Sequence, residues 1–216
     1  MIPLRDVIQT RTFPFVTIAL IVSNAVAFLF ELSIPDSEMP AFLRAFALVP
    51  AHFNWLTLFT SMFLHGGWLH FLGNMLYLWI FGDNVEERLG HAVFVIFYFV
   101  CGAAAGLAHA LMNTASLLPT MGASGAIAGV MGAYFVLYPQ SRILTLIFFG
   151  FFYRVVEVPA VVLLGLWFVM QFFSGALSTG AESGGVAFWA HVAGFVAGIC
   201  WVFIFRNRQV SWNDVQ

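Results

Sequence analysis

Residues 92–112 read AVFVIFYFVCGAAAGLAHALM, without one Asp, Glu, Lys or Arg. A helix of this length, at about 1.5 Å per residue, matches the roughly 30 Å hydrocarbon thickness of a bilayer. Five comparable stretches lie around it, at 13–32, 66–82, 122–138, 157–173 and 186–205, separated by segments carrying charge, proline or glycine. Composition agrees: the chain is 62% hydrophobic and 8% charged, and a water-soluble fold cannot cover that much apolar surface with so few charges. The expectation is an all-α integral membrane protein, residues 1–216 forming a single domain with six transmembrane helices. The first stretch reads as a retained anchor and not a cleaved leader, since its apolar run is long, no small-residue cleavage site follows it, and five more spans come after.

The basic residues orient this bundle. All eight are arginines. With the N-terminus inside, Arg5, Arg11, Arg88, Arg142, Arg154, Arg206 and Arg208 fall on one side, leaving Arg44 alone on the other. Such a bias predicts that both termini face the cytoplasm. Two apolar segments make poor spans. Residues 41–64, between the first two spans, are interrupted by Arg44, Pro50, His52 and Asn54, and read as an outer loop dipping into the leaflet. The aromatic run 143–153, bracketed by Arg142 and Arg154, reads as an inner interfacial element. Cys101 and Cys200 sit in different apolar stretches and read as small buried thiols, not a disulfide framework. No basic patch for nucleic acid is present.

Within this topology the polar residues converge. Ser124 falls in the first turn of the fourth span, His191 about one turn into the sixth, and His70 with Asn74 in the outer half of the second. All four share one depth. A hydroxyl and an imidazole in hydrocarbon-length segments are costly unless partnered, so they are candidates for chemistry. His70 and Asn74 are four apart and share a helix face. His191, Gly194 and Gly198 share another, and the fourth span carries the complementary pairs Gly125 with Gly129 and Ala128 with Gly132. Glycines so spaced let helices approach closely, which would bring His191 against Ser124. Serine is a weak nucleophile until a base takes its proton, and such a contact supplies one. A helix start also leaves backbone N–H groups free for a developing oxyanion, with His70 and Asn74 as further donors. The carboxylates fall elsewhere: Asp83, Glu86, Glu87 and Glu157 inside, and Glu31, Asp36, Glu38 and Glu182 in outer loops, so a dyad is the economical reading. His65 reads as structural, tying the outer loop to the second span. His52, His91 and His109 read as boundary rings, and Glu86, Glu87 and Arg88 as a solvated inner turn.

Three motifs, His65-Gly-Gly-Trp-Leu-His70-Phe-Leu-Gly-Asn74, Gly122-Ala-Ser124-Gly125 and Ala190-His191-Val-Ala-Gly194, together resemble those of the rhomboid intramembrane serine proteases. The resemblance implies a six-helix rhomboid-like bundle with Ser124 as nucleophile, His191 as general base, and His70 and Asn74 as oxyanion stabilisers. It further implies cleavage of membrane-protein substrates in or beside a transmembrane helix, from an active site opening to the extracytoplasmic side of the cell membrane, without cofactor or metal. Two departures stand out. Where many members have a Trp-Arg pair in the first outer loop, this chain has Trp55-Leu56-Thr57, and where some place an aromatic four residues after the nucleophile, it has Ala128. Trp189 or Phe188 is then the expected support for the imidazole. A base role needs the neutral ring and burial disfavours the charged one, so cleavage is expected to rise through a pH below or near the ordinary value of about 6.5. The competing classes are a catalytically silent binder of transmembrane clients and a transporter with a Ser/His/Asn proton path. The second would need polar groups in the inner halves, which are nearly wholly apolar.

Overall fold

The computed structural model describes residues 1–150, 152–177 and 188–205. Glu182, Arg206, Arg208 and the first two residues of the sixth predicted span lie outside them. Among the described residues eight α-helices follow in order: α1 (Phe15–Leu32), α2 (Met39–Phe46), α3 (Thr57–Thr60), α4 (Trp68–Leu89), α5 (His91–Met112), α6 (Ser124–Leu137), α7 (Ala160–Leu177) and α8 (Phe188–Phe205). Among the described residues α1, α5, α7 and α8 are long and apolar enough to cross a membrane, and α6 is a shorter apolar helix of 14 residues. The protein is a multi-pass membrane protein built as a helical bundle. Its outward faces carry exposed Val22, Val26, Leu29, Ile96, Val169 and Ile204, as lipid contact requires.

At the centre stands α6, whose residues Ala126 to Tyr134 are all buried, against α4, α5, α7 and α8. Its glycines and those of α8 leave room for backbone contact. A methyl group added at Gly194 would collide with the Gly125 carbonyl, and one at Gly198 with the Gly129 carbonyl. The glycine stripes expected to pack together do so.

The end of the bundle remote from Ser124 differs more from the sequence reading. Helix α4 runs on to Leu89, seven residues past its predicted end, because Asp83, Glu86, Glu87 and Arg88 are all compatible with helix and the first break is Gly90, at φ 81°. The expected solvated turn is therefore helix. Glu86 is fully buried (0% exposed) and its carboxylate receives the backbone N–H groups of Val16 (2.8 Å) and Thr17 (2.7 Å), the Thr17 hydroxyl (2.6 Å) and His91 Nδ1 (2.6 Å). The first turn of α1 has no side-chain cap of its own, and Glu86 satisfies two of its orphan donors from another helix. Glu87 accepts the N–H groups of Arg11 and Thr12, in the segment leading to α1, at 2.8 and 2.9 Å.

Beside this end lies an antiparallel sheet in the order β1 (Ile2–Asp6), β2 (Arg142–Phe149), β3 (Phe152–Pro159). The interfacial element expected over 143–153 is thus a β-hairpin, and its first strand also takes up the chain start, with Ile2 opposite Leu146. Ile143 and Thr145 are buried while Arg142 is exposed, the alternation of a half-covered strand. Of the two cysteines, Cys101 is buried as expected, whereas Cys200 lies exposed on α8.

Candidate active site

The segment leading into α6 is fixed from the outer loop. Leu48 and Thr120 exchange backbone hydrogen bonds (3.0 and 2.8 Å), Ala51 N–H donates to Ser116 O at 3.0 Å, and Gly122 N–H donates to Ser61 O at 2.8 Å. This lacing ties Leu48, Ala51 and Ser61 of the outer loop to the segment before α6. Gly122 sits at φ 126°, a conformation side chains rarely adopt, and a Cβ there would lie 2.7 Å from His70 Nε2. The glycine lets His70 rest against the backbone two residues before Ser124. Helix α6 opens at Ser124 itself, so the N–H groups of its first turn have no partner within the helix.

The glycine seam carries α8 against α6 and sets His191 Nε2 2.7 Å from Ser124 Oγ. On its other side, His191 Nδ1 lies 2.8 Å from Gln171 Oε1 of α7. Trp167, one turn earlier on α7, places its ring 5.9 Å from the imidazole at 39°. Trp189 is not the support expected from the sequence: it packs edge-on to Phe172 at 5.6 Å and lies against Gly175. Phe188 also meets Gly175. Gln171 escaped the sequence reading, although a lone amide in an apolar span is itself a signal that a partner exists.

On α4, His70 and Asn74 point into the same space. The Gly66 N–H faces His70 Nδ1 at 3.4 Å, an arrangement that leaves the ring proton on Nε2, toward Gly122. Asn74 is 8% exposed, and its amide nitrogen has no hydrogen-bond partner among the described residues. A buried donor without an acceptor is costly unless a ligand supplies one. Ser124, His191, His70, Asn74 and Gln171 all line one cavity of about 480 Å³. All four residues picked from the sequence are brought together.

The remaining histidines separate. His109 also lines the cavity, its Nε2 2.8 Å from the Thr120 hydroxyl. His91 bonds Glu86, and His52 is exposed. His65 is 2% exposed, its ring edge-on to Phe28 and Phe71. Its backbone N–H donates at 3.0 Å to Glu31, so the loop end is tied to α1 as well as leading into α4. Glu31 itself lies in the last turn of α1, 5% exposed, and not in a loop. Burial first, and then the neighbouring His70, pushes the His65 imidazole down to about 4.

Chemically the arrangement joins a hydroxyl to a base whose far nitrogen is held by an acceptor, beside unspent donors at a helix start. Comparison with known proteins gives similarity to one family. The Rhomboid domain family matches residues 52–208. A putative rhomboid protease, YdcA of Bacillus subtilis, is 31% identical over 127 residues, covering 57% of this chain and 62% of that protein. The rhomboid protease GluP of the same organism is 36% identical over 80 residues, 37% of this chain and 15% of that one. RHOMBOID-like protein 6, mitochondrial, of Arabidopsis thaliana is 29% identical over 158 residues, 73% of this chain and 46% of the relative. The matched stretches therefore span less than two thirds of these relatives' own lengths.

Proposed function

This chain belongs to the rhomboid family, and we propose that within it the protein is an intramembrane serine endopeptidase acting through a Ser124/His191 dyad. The observation that carries the reading is the 2.7 Å approach of His191 Nε2 to Ser124 Oγ inside a cavity that also holds unspent donors. In this reading His191 takes the hydroxyl proton as Ser124 Oγ bonds to the carbonyl carbon of the scissile peptide. The carbonyl oxygen becomes an oxyanion facing the Ser124 N–H, the His70 Nε2–H and the Asn74 amide. Each such donor is worth about 3 to 4 kcal/mol in the transition state. The C–N bond then breaks as His191 returns the proton to the leaving amine. Water repeats the sequence on the acyl-enzyme, releasing the new carboxylate and restoring Ser124.

The substrates proposed are membrane proteins presenting a transmembrane helix, cleaved within or beside it. The protein is placed in the cell membrane as one domain, both termini cytoplasmic, with the cavity opening to the other side. Support for this placement comes from the arginine bias, and support for the substrate class from the lipid-facing surface of the bundle around the cavity. The test is cleavage of a model transmembrane substrate by the purified protein in proteoliposomes, with labelling of Ser124 by a fluorophosphonate. Equal cleavage by Ser124→Ala overturns the proposal. Client binding without cleavage or labelling, unaffected by Ser124→Ala and His191→Ala, identifies a silent binder instead.

A further inference from the structure

A serine activated by imidazole needs more than proximity. The neutral ring has two tautomers, and only the one with its proton on Nδ1 leaves a lone pair on Nε2 for the Ser124 hydroxyl. Which tautomer forms is set by the hydrogen bond made at the other nitrogen. In this protein that partner is Gln171 Oε1, 2.8 Å from Nδ1. The Ser124 hydroxyl can donate to Nε2 only if Nδ1 carries the proton, and a protonated Nδ1 requires an acceptor, so the amide oxygen and not the nitrogen faces the ring. Trp167 and Gln171 are four apart on α7, hence on one face, and hold the imidazole by ring contact and hydrogen bond together. Both come from a helix that contributes none of the four residues picked out by the motifs.

We propose that Gln171 is a positioning residue that fixes the Nδ1–H tautomer and the ring orientation of His191, extending the dyad to a hydrogen-bonded Ser124–His191–Gln171 array with Trp167 as its lateral wall. The proposal rests on the reading of Ser124 and His191 as nucleophile and base. A neutral amide supplies orientation without the charge that a carboxylate would add beside the imidazolium. In serine proteases with a buried Asp at this point, loss of the correct tautomer costs about 10⁴ in kcat. For the neutral amide a smaller effect follows, about 10- to 100-fold.

The experiment compares the full-length protein with Gln171→Leu, Gln171→Met and Gln171→Glu in one detergent. Cleavage kinetics are read from pH 5 to 9, and the ring nitrogens of His191 are followed by NMR on histidine-labelled protein. His70 on α4 and His109 on α5, the other titratable groups facing the imidazole, are unchanged in every variant and cancel in the comparison. Expected for Leu and Met is a fall of about 10- to 100-fold in kcat with KM within about twofold, and loss of the Nδ1–H signature. Gln171→Glu keeps an acceptor, restores most of kcat, and moves the acid limb of the profile to higher pH, because a carboxylate favours the imidazolium. Wild-type kcat and an intact Nδ1–H tautomer in both Leu and Met overturn the proposal. So does an equal loss in all three variants with an unmoved acid limb, which marks a packing role. Met, unbranched and of similar length, covers the case in which Leu fails to fold. A wild-type protein that neither cleaves nor labels sinks the protease reading alone, since the tautomer measurement still decides the role of Gln171.

Discussion

The Tyr134 hydroxyl donates to Asp6 Oδ2 at 2.9 Å, joining the first strand to the helix that opens with Ser124. Asn84 of α4 donates to the same oxygen at 2.6 Å, so one carboxylate ties β1, α4 and α6 together. Burial, with Asp83 adding repulsion against the lowering effect of these hydrogen bonds, pushes the Asp6 carboxyl up to about 6.

A carboxyl raised in the folded state stabilises the fold while protonated. Its contribution is complete below the unfolded value of 3.8 and is lost as pH rises through about 6. Asp6→Asn is therefore expected to equal the wild type in stability near pH 4 and to exceed it at pH 7. The excess should be about 1 kcal/mol, discounted for the partial exposure of the group. Thermal unfolding in detergent at the two pH values checks this, and a constant difference between the proteins contradicts it.

His65 has the opposite sign. Its folded value, about 4, lies below the ordinary 6.5, so its contribution is present above 6.5 and lost as pH falls through about 4. His65→Asn should flatten the acid side of the stability profile and leave the neutral side parallel to that of the wild type. The same unfolding series from pH 4 to 8 reads it.

Glu86 should be among the most sensitive positions at the sheet end of the bundle. Glu86→Ala strands two backbone N–H groups and a hydroxyl that its buried carboxylate now receives, and is expected to cost about 3 kcal/mol or more. Glu86→Gln keeps one acceptor oxygen and should lose roughly half as much. Unfolding midpoints of the two variants, compared in one detergent, give the ratio.

The α6–α8 seam predicts a coupled loss. Gly194→Ala drives a methyl group into the Gly125 carbonyl, so overpacking of about 1 to 3 kcal/mol should come with a drop in cleavage exceeding tenfold as His191 moves from Ser124. Gly165→Ala is the control: the nearest atom to its Cβ is Phe135 Cε2 at 3.8 Å, an ordinary contact, and neither stability nor cleavage should fall.

Asn74→Ala should lower kcat by about 100-fold with little change in KM if its unpartnered amide serves only the transition state. Steady-state cleavage of the model substrate measures both parameters, and a change confined to KM counts against an oxyanion role.

Much of this site is legible in the sequence because membranes make polar residues conspicuous. Ser124, His70, Asn74 and His191 stand out against hydrocarbon-length runs, and glycine spacing gives the seam that joins two of them. Gln171 carried the same kind of signal but lies on a helix without a motif, and only packing reveals that it meets His191. The sheet was less accessible. A nearly continuous apolar run hides the period-two alternation of β2, and one of its two partner strands, β1, lies more than a hundred residues away in the chain. Glu86 misleads for a related reason: a charged run looks solvated until another helix start arrives to use it. Register and long-range partnering, not element type, are what the one-dimensional pattern lacks.

Where α6 meets α8, glycine faces carbonyl without a side chain between them. The spacing of the two backbones that carry Ser124 and His191 is consequently set by main chain, leaving Gln171 and Trp167 only the ring itself to hold. Outward residues such as Val22, Ile96 and Ile204 are free to exchange for other apolar shapes, as bilayers of different composition demand, while the backbones that carry Ser124 and His191 keep their spacing. The bundle thereby separates the part of the chain that must adapt to its lipid from the part that must not change.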